Sequence, residues 1–154
     1  METEVKATVF MEIETGEKDA GRAPLSAEFG YAAADPFAVT MTFYCEGDEV
    51  TRWRLDRDLL AEGCGRPAGA GDVRVAPTSD PARGDGVRIE LLGTPGPAGR
   101  AQAVLHAAAS DLTAFLAATH GIVRPGEEQV SLDELDELLD GVDQDESTYG
   151  EHAA

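Results

Sequence analysis

The feature that most constrains this chain is a period of two. Residues 4–14, EVKATVFMEIE, set Val5, Ala7, Val9, Met11 and Ile13 at alternate positions between mostly polar partners. That alternation predicts a half-buried strand, because successive side chains leave a strand on opposite faces. Residues 24–32 repeat it, with Leu25, Ala27, Phe29 and Tyr31 on one face. Phe37–Cys45 is continuously apolar, β-branched and aromatic, which predicts a central strand. The tight turn Glu46-Gly47-Asp48 then returns the chain through EVTRWRL, residues 49–55, as a hairpin. Three shorter strands are expected over Asp72–Ala76, Val87–Leu92 and Arg100–His106. A short helix is expected over Arg57–Glu62, stopped by Gly63. Residues 63–71, GCGRPAGAG, read as too rich in Gly and Pro for regular structure. Residues 77–86 read as a polar loop and 93–99 as a hairpin-length turn.

Near Ala107 the period changes. Leu105, Ala108, Leu112, Phe115, Leu116 and Thr119 share one helical face, and Gly121 stands where a C-terminal glycine cap belongs. Further on, Ser131 and Glu134 have capping-box spacing. Leu132, Leu135, Leu138, Leu139 and Val142 form an apolar stripe there, flanked by carboxylates. The expected organisation is a β-rich domain with its helix over 1–122 and a linker over 123–130. An acidic amphipathic helix over 131–142 and a disordered tail over 143–154 complete it. About seven mainly antiparallel strands, then a packed helix, then an acidic C-terminal helix, make an α+β fold.

Charge narrows the function classes. Lys and Arg number 12 against 30 Asp and Glu, a formal net charge of −18. Residues 121–154 alone hold one basic and eleven acidic residues. Such a chain repels phosphate backbones, which argues against nucleic-acid binding. No apolar run approaches the roughly 20 residues of a membrane-spanning helix, so no transmembrane segment is expected. Met1–Phe10 lacks the basic and apolar regions of a secretory signal. A cytoplasmic protein is expected, with Cys45 and Cys64 as buried free thiols.

Catalytic and cofactor chemistry finds no foothold. His106, His120 and His152 lie far apart, without a Cys or carboxylate at metal-ligand spacing. The cysteines are not a CxxC pair, and no GxSxG, P-loop or GxGxxG motif is present. Asp56 and Asp58 could be imagined as acid and base, but in so acidic a chain a solvated face is the plainer reading. Arg52, Trp53, Arg54 and Arg57 resemble a basic patch with an aromatic. On a strand, however, Trp53 points away from Arg52 and Arg54, toward the core or an oligomer contact. No enzyme activity, metal or cofactor is expected, and an interaction protein is. The candidate partner-binding residues are Trp53 and Leu132, Leu135, Leu138 and Leu139.

The run DPFAVTMTFYCEGDEVTRWRLDRDLLAEG at 35–63 resembles the SsgA-like proteins of sporulating actinomycetes. So do RPAGAGDVRVAPT at 66–78, the helix ASDLTAFLAAT at 109–119, and GIVRPGEEQ with the leucine-rich acidic segment after it. The likeness covers about residues 5–140. It implies a regulator of sporulation-specific cell division, cytoplasmic and recruited to the septum. The implied partners are other division proteins, among them the tubulin-like FtsZ, met directly or indirectly. It also implies a homotrimer and a β-rich fold resembling the whirly-type single-stranded nucleic-acid-binding proteins. That fold likeness keeps a single-stranded nucleic-acid-binding module as the alternative function. Cys45-Glu46-Gly47 and Pro95-Gly96-Pro97 depart from the family pattern, both at turns.

Overall fold

A computed structural model describes residues 3–15, 21–45, 48–97 and 99–129. The alternating segments form one antiparallel sheet. Its strands are β1 (Glu4–Glu14), β2 (Arg22–Ala32), β3 (Asp35–Cys45), β4 (Asp48–Asp56), β5 (Ala68–Ala70), β6 (Val73–Asp80), β7 (Gly84–Gly96) and β8 (Gly99–Ala108). Helix α1 (Arg57–Gly63) follows β4, and α2 (Ala109–Ile122) follows β8. The strand order is β4-β3-β2-β1-β8-β7-β6-β5. Two four-stranded meanders are thus joined where β1 pairs with β8 through Met11–Ile13.

The expected alternation sets the core. Val9, Met11, Ala27, Phe29, Tyr31, Val39, Met41, Leu55, Val87, Ile89 and Leu105 are buried on one face of the sheet. Both helices pack on that inner face. Leu112, Phe115, Leu116 and Thr119 of α2 are buried, and the Phe115 ring meets Phe29 edge-on at 5.6 Å between centroids.

Several expectations need correction. The described residues hold eight strands rather than seven. Ala68–Ala70, inside the Gly/Pro-rich segment, pairs with Val73–Val75 as β5. The loop expected over 77–86 is mostly ladder, with Pro77 opposite Val87 and Asp80 opposite Gly84. The turn expected over 93–99 is narrower, because pairing continues to Gly96 opposite Gly99. Backbone pairing supplied by neighbouring strands outweighs weak local propensity in these stretches. Phe37–Cys45 is next to an edge rather than central, since only β4 lies beyond it. Leu105 and Ala108 belong to β8, not to the helix.

Neither glycine acts as a helix cap. Gly63 lies inside α1 and Cys64 caps it; Gly121 lies inside α2 and Val123 caps it. Gly63 is required by close approach, for a Cβ there would overlap Cβ and Cγ1 of Val75.

Candidate docking groove and the C-terminal clasp

The two ends of the inner face differ. β1, β3 and β7 end and β2, β4 and β8 begin at one end of the sheet, and both helices begin at the other. At the hairpin end the inner face opens into a groove of about 360 Å³. Ile13, Leu25, Phe43, Trp53, Leu91 and Leu105 form its apolar lining. Strand parity explains this: the residues continue the core face past the reach of α1 and α2. Trp53 is half-buried and sits opposite Met41 in the β3–β4 ladder. Among the described residues the polar side chains in the lining are Tyr44, Thr51 and Gln102, none of them a carboxylate, His or Cys. An apolar wall with so little polar chemistry is suited to another apolar surface, not to a reaction.

Arg52 and Arg54 lie on the opposite face, paired with Glu49 at 3.0 Å and Asp35 at 2.6 Å. The apparent basic patch is therefore split from its aromatic and neutralised by carboxylates. Asp56 is the N-cap of α1 and accepts from the Asp58 N–H at 2.8 Å, so its role is structural.

At the helical end stands a group that sequence reasoning missed. Arg57 is fully buried, and its Nη1 donates to the carbonyls of Thr119 at 3.2 Å and Val123 at 2.7 Å. Nη2 donates to the Arg124 carbonyl at 3.5 Å and to Glu128 Oε1 at 2.6 Å. Its guanidinium lies 4.8 Å from the Tyr31 ring centroid. The Tyr31 hydroxyl in turn donates to the Pro36 carbonyl at 2.9 Å. Thr119, whose carbonyl also accepts the capping N–H of Val123, and the two carbonyls just past the end of α2 thus meet a cation suited to the negative end of the helix. The same cation clasps Glu128, whose side chain is 6% exposed. That hydrogen bond holds the Glu128 carboxyl below the usual carboxylate range. A signal for this hub existed: a basic first residue opposes the dipole of its own helix, so Arg57 needed partners elsewhere.

The other expected groups lie apart. His106 on β8 meets Glu14 at 2.6 Å. His120, in the last turn of α2, is pushed below its ordinary value by burial and then by Arg57. Among the described residues no group of three His, Cys, Asp or Glu could hold a metal ion. Cys64 is half-buried rather than fully covered, and burial pushes its thiol up. The Cys45 side chain, His152, and Leu132, Leu135, Leu138 and Leu139 lie outside the described residues. No described helix is long and apolar enough to cross a membrane.

A family model described as Streptomyces sporulation and cell division protein, SsgA, matches residues 25–128. The chain belongs to the SsgA family. The sporulation-specific cell division protein SsgB of Streptomyces coelicolor is 42% identical over 116 residues, spanning 75% of this chain and 80% of that protein. The SsgB of Kineococcus radiotolerans is 44% identical over 116 residues, 75% of this chain and 67% of that one. The crystal structure of an SsgA-like sporulation-specific cell division protein from Thermobifida fusca superposes with a TM-score of 0.73 at 32% identity. It covers 90% of this chain and 96% of that one. A structure reported with SsgB mutations that correlate to longitudinal cell division during sporulation of Streptomyces coelicolor gives 0.70 at 37% identity, over 82% and 93%. The family match at 25–128 takes in the groove residues of β2–β4, β7 and β8, and both partners of the Arg57–Glu128 clasp.

Proposed function

We propose that this SsgA-family chain is a non-catalytic regulator of sporulation-specific cell division, positioning septum or cell-wall machinery through protein–protein contacts. The observation that carries the reading is the groove around Trp53, an apolar site that the described residues line without a titratable acid or base apart from the Tyr44 phenol. Trp53 supplies the kind of large, rigid side chain that dominates protein interfaces. The leucine stripe Leu132, Leu135, Leu138 and Leu139 supplies a second apolar surface, on an arm beyond the domain of residues 1–122.

The partners in this reading are other division proteins, FtsZ directly or indirectly among them, met in the cytoplasm at the forming septum. The β-rich scaffold is whirly-like and assembles as a homotrimer, closed symmetry being the usual result of self-association. A fluorescent fusion imaged through sporulation tests the role. Bands at nascent septa are expected, and a diffuse signal at every stage would overturn it.

A further inference from the structure

We propose that the groove is filled by the chain's own C-terminal segment, with Leu135, Leu138, Leu139 and Val142 seated in cis against Trp53. The proposal joins the two apolar surfaces of the reading above, so that a partner reaches either one only by displacing the other; it rests on the groove alone and survives failure of the septal role.

The first argument is supply. An open apolar groove of about 360 Å³ leaves core-type side chains such as Phe43, Trp53 and Leu91 facing a gap that an apolar occupant would stabilise by burial. Outside the described residues the chain offers 1–2, 16–20, 46–47, 98 and 130–154. The first four of these segments contain Met1 as their only large apolar side chain. Residues 130–154 bring four leucines and two valines.

The second argument is spacing. Leu135, Leu138, Leu139 and Val142 fall at i, i+3, i+4 and i+7. That is the pattern by which an amphipathic helix anchors itself in an apolar groove. Asp136, Glu137 and Asp140 then fall on the flanks and far side, where carboxylates stay in water.

The third argument is reach. Glu128 is held at Arg57, and Arg57 follows Trp53 by four residues, about 13 Å of extended chain. From Glu128 the chain can extend about 10 Å to the expected helix start at Ser131, and Leu135 follows four helical residues later, about 6 Å further on. The route is open as well. β4 and β5 are the two edges of the sheet, so no described strand covers the outer edge of β4 beside Trp53. The clasp therefore sets the start of the arm within reach of the groove.

Trp53 is the only tryptophan in the chain, so its emission reads the groove directly. The full-length protein is compared with the double variant Leu135→Asn/Leu138→Asn by emission maximum and acrylamide quenching. The variant is expected to emit further to the red and quench faster, with its β-sheet dichroism retained and at most the helical signal of the arm lost. Identical emission and quenching in the two proteins would overturn the proposal. Should the double variant fail to fold, Leu138→Ala replaces it, with a smaller shift of the same sign expected and no shift overturning. The pair Leu135→Met/Leu138→Met keeps the stripe apolar and is expected to retain the parent emission. Mixing the Asn variant with a full-length Trp53→Phe chain decides cis from trans. No recovery of the parent emission is expected. Recovery would mean that a second copy's stripe fills the groove, and the cis assignment would fall.

Discussion

At the helical end of the inner face, Phe29, Leu60, Leu112 and Phe115 are sealed between sheet and helices, with Arg57 at their edge holding five groups at once. At the hairpin end the same alternating strands continue, yet Trp53 stays half-buried and the wall beside it is open. The strands alone do not decide which end is core. The two helices do, and the cation that ties α1 to the end of α2 decides where they sit. The difference divides the face into a sealed end that carries stability and an open end to which the proposed reading assigns binding.

The comparison breaks first at Arg57. Arg57→Ala removes donors to three carbonyls and leaves the Glu128 carboxylate without its cation. Loss of one partner from a buried pair costs about 3–5 kcal/mol, a large share of the stability of a domain this size. Chemical denaturation is expected to show that loss, with the midpoint falling sharply. A change under about 1 kcal/mol, the level of a surface ion pair, would make the hub ornamental and the division of labour false.

The matching change at the open end is expected to be milder. A fully buried Trp cut to Ala costs about 3–5 kcal/mol, and the half-buried Trp53 should give up about 1–2 kcal/mol on the same scale. The same denaturation curves measure it. A loss as large as that of Arg57→Ala would mean that the groove is core in all but name. Combining Trp53→Ala with Leu138→Ala sharpens the point. If the stripe fills the groove the two losses are less than additive, since both remove one contact.

How much of this was legible follows the same division. The inner face of β1 and β2 was readable because alternation, over nine residues from Val5 to Ile13, leaves only one face to bury. Trp53 was correctly separated from Arg52 and Arg54 by parity alone. β5 and the ends of β6 and β7 were not readable. Gly69, Pro77 and Gly93 have poor strand propensity, and only a partner strand can hold them extended. The groove escaped because sequence shows which side chains share a face and not where a helix stops covering it. Arg57 escaped for a related reason. Its partners Thr119, Val123 and Glu128 lie 62 to 71 residues away, and no local pattern joins them. Gly63 was read as a helix stop, whereas its reason, contact with Val75, is tertiary.

The smallest expected effect is acid sensitivity confined to the sealed end. His120 is lowered by burial and by the Arg57 charge, and Glu128 is lowered by its hydrogen bond from Arg57. Both therefore bind protons more readily in the unfolded chain than in the folded one. Where the unfolded state holds more protons, stability rises with pH, so acidification must weaken the fold. His120 acts first, from its ordinary value near about 6.5 down to its lowered folded value. Glu128 acts next, from about 4.3 down through its own. Melting temperatures measured from neutral pH downward are expected to fall in those two windows. His120→Gln should flatten the first, and Glu128→Gln should shrink the second, to which Asp80 also contributes because the N–H groups of Ala82 and Arg83 lower its carboxyl. Trp53→Ala should leave the shape of both unchanged, because the described residues of the groove lining include no carboxylate or imidazole. A profile that Trp53→Ala reshapes, or one that rises as the first window is entered, would place the titrating groups at the wrong end of the molecule.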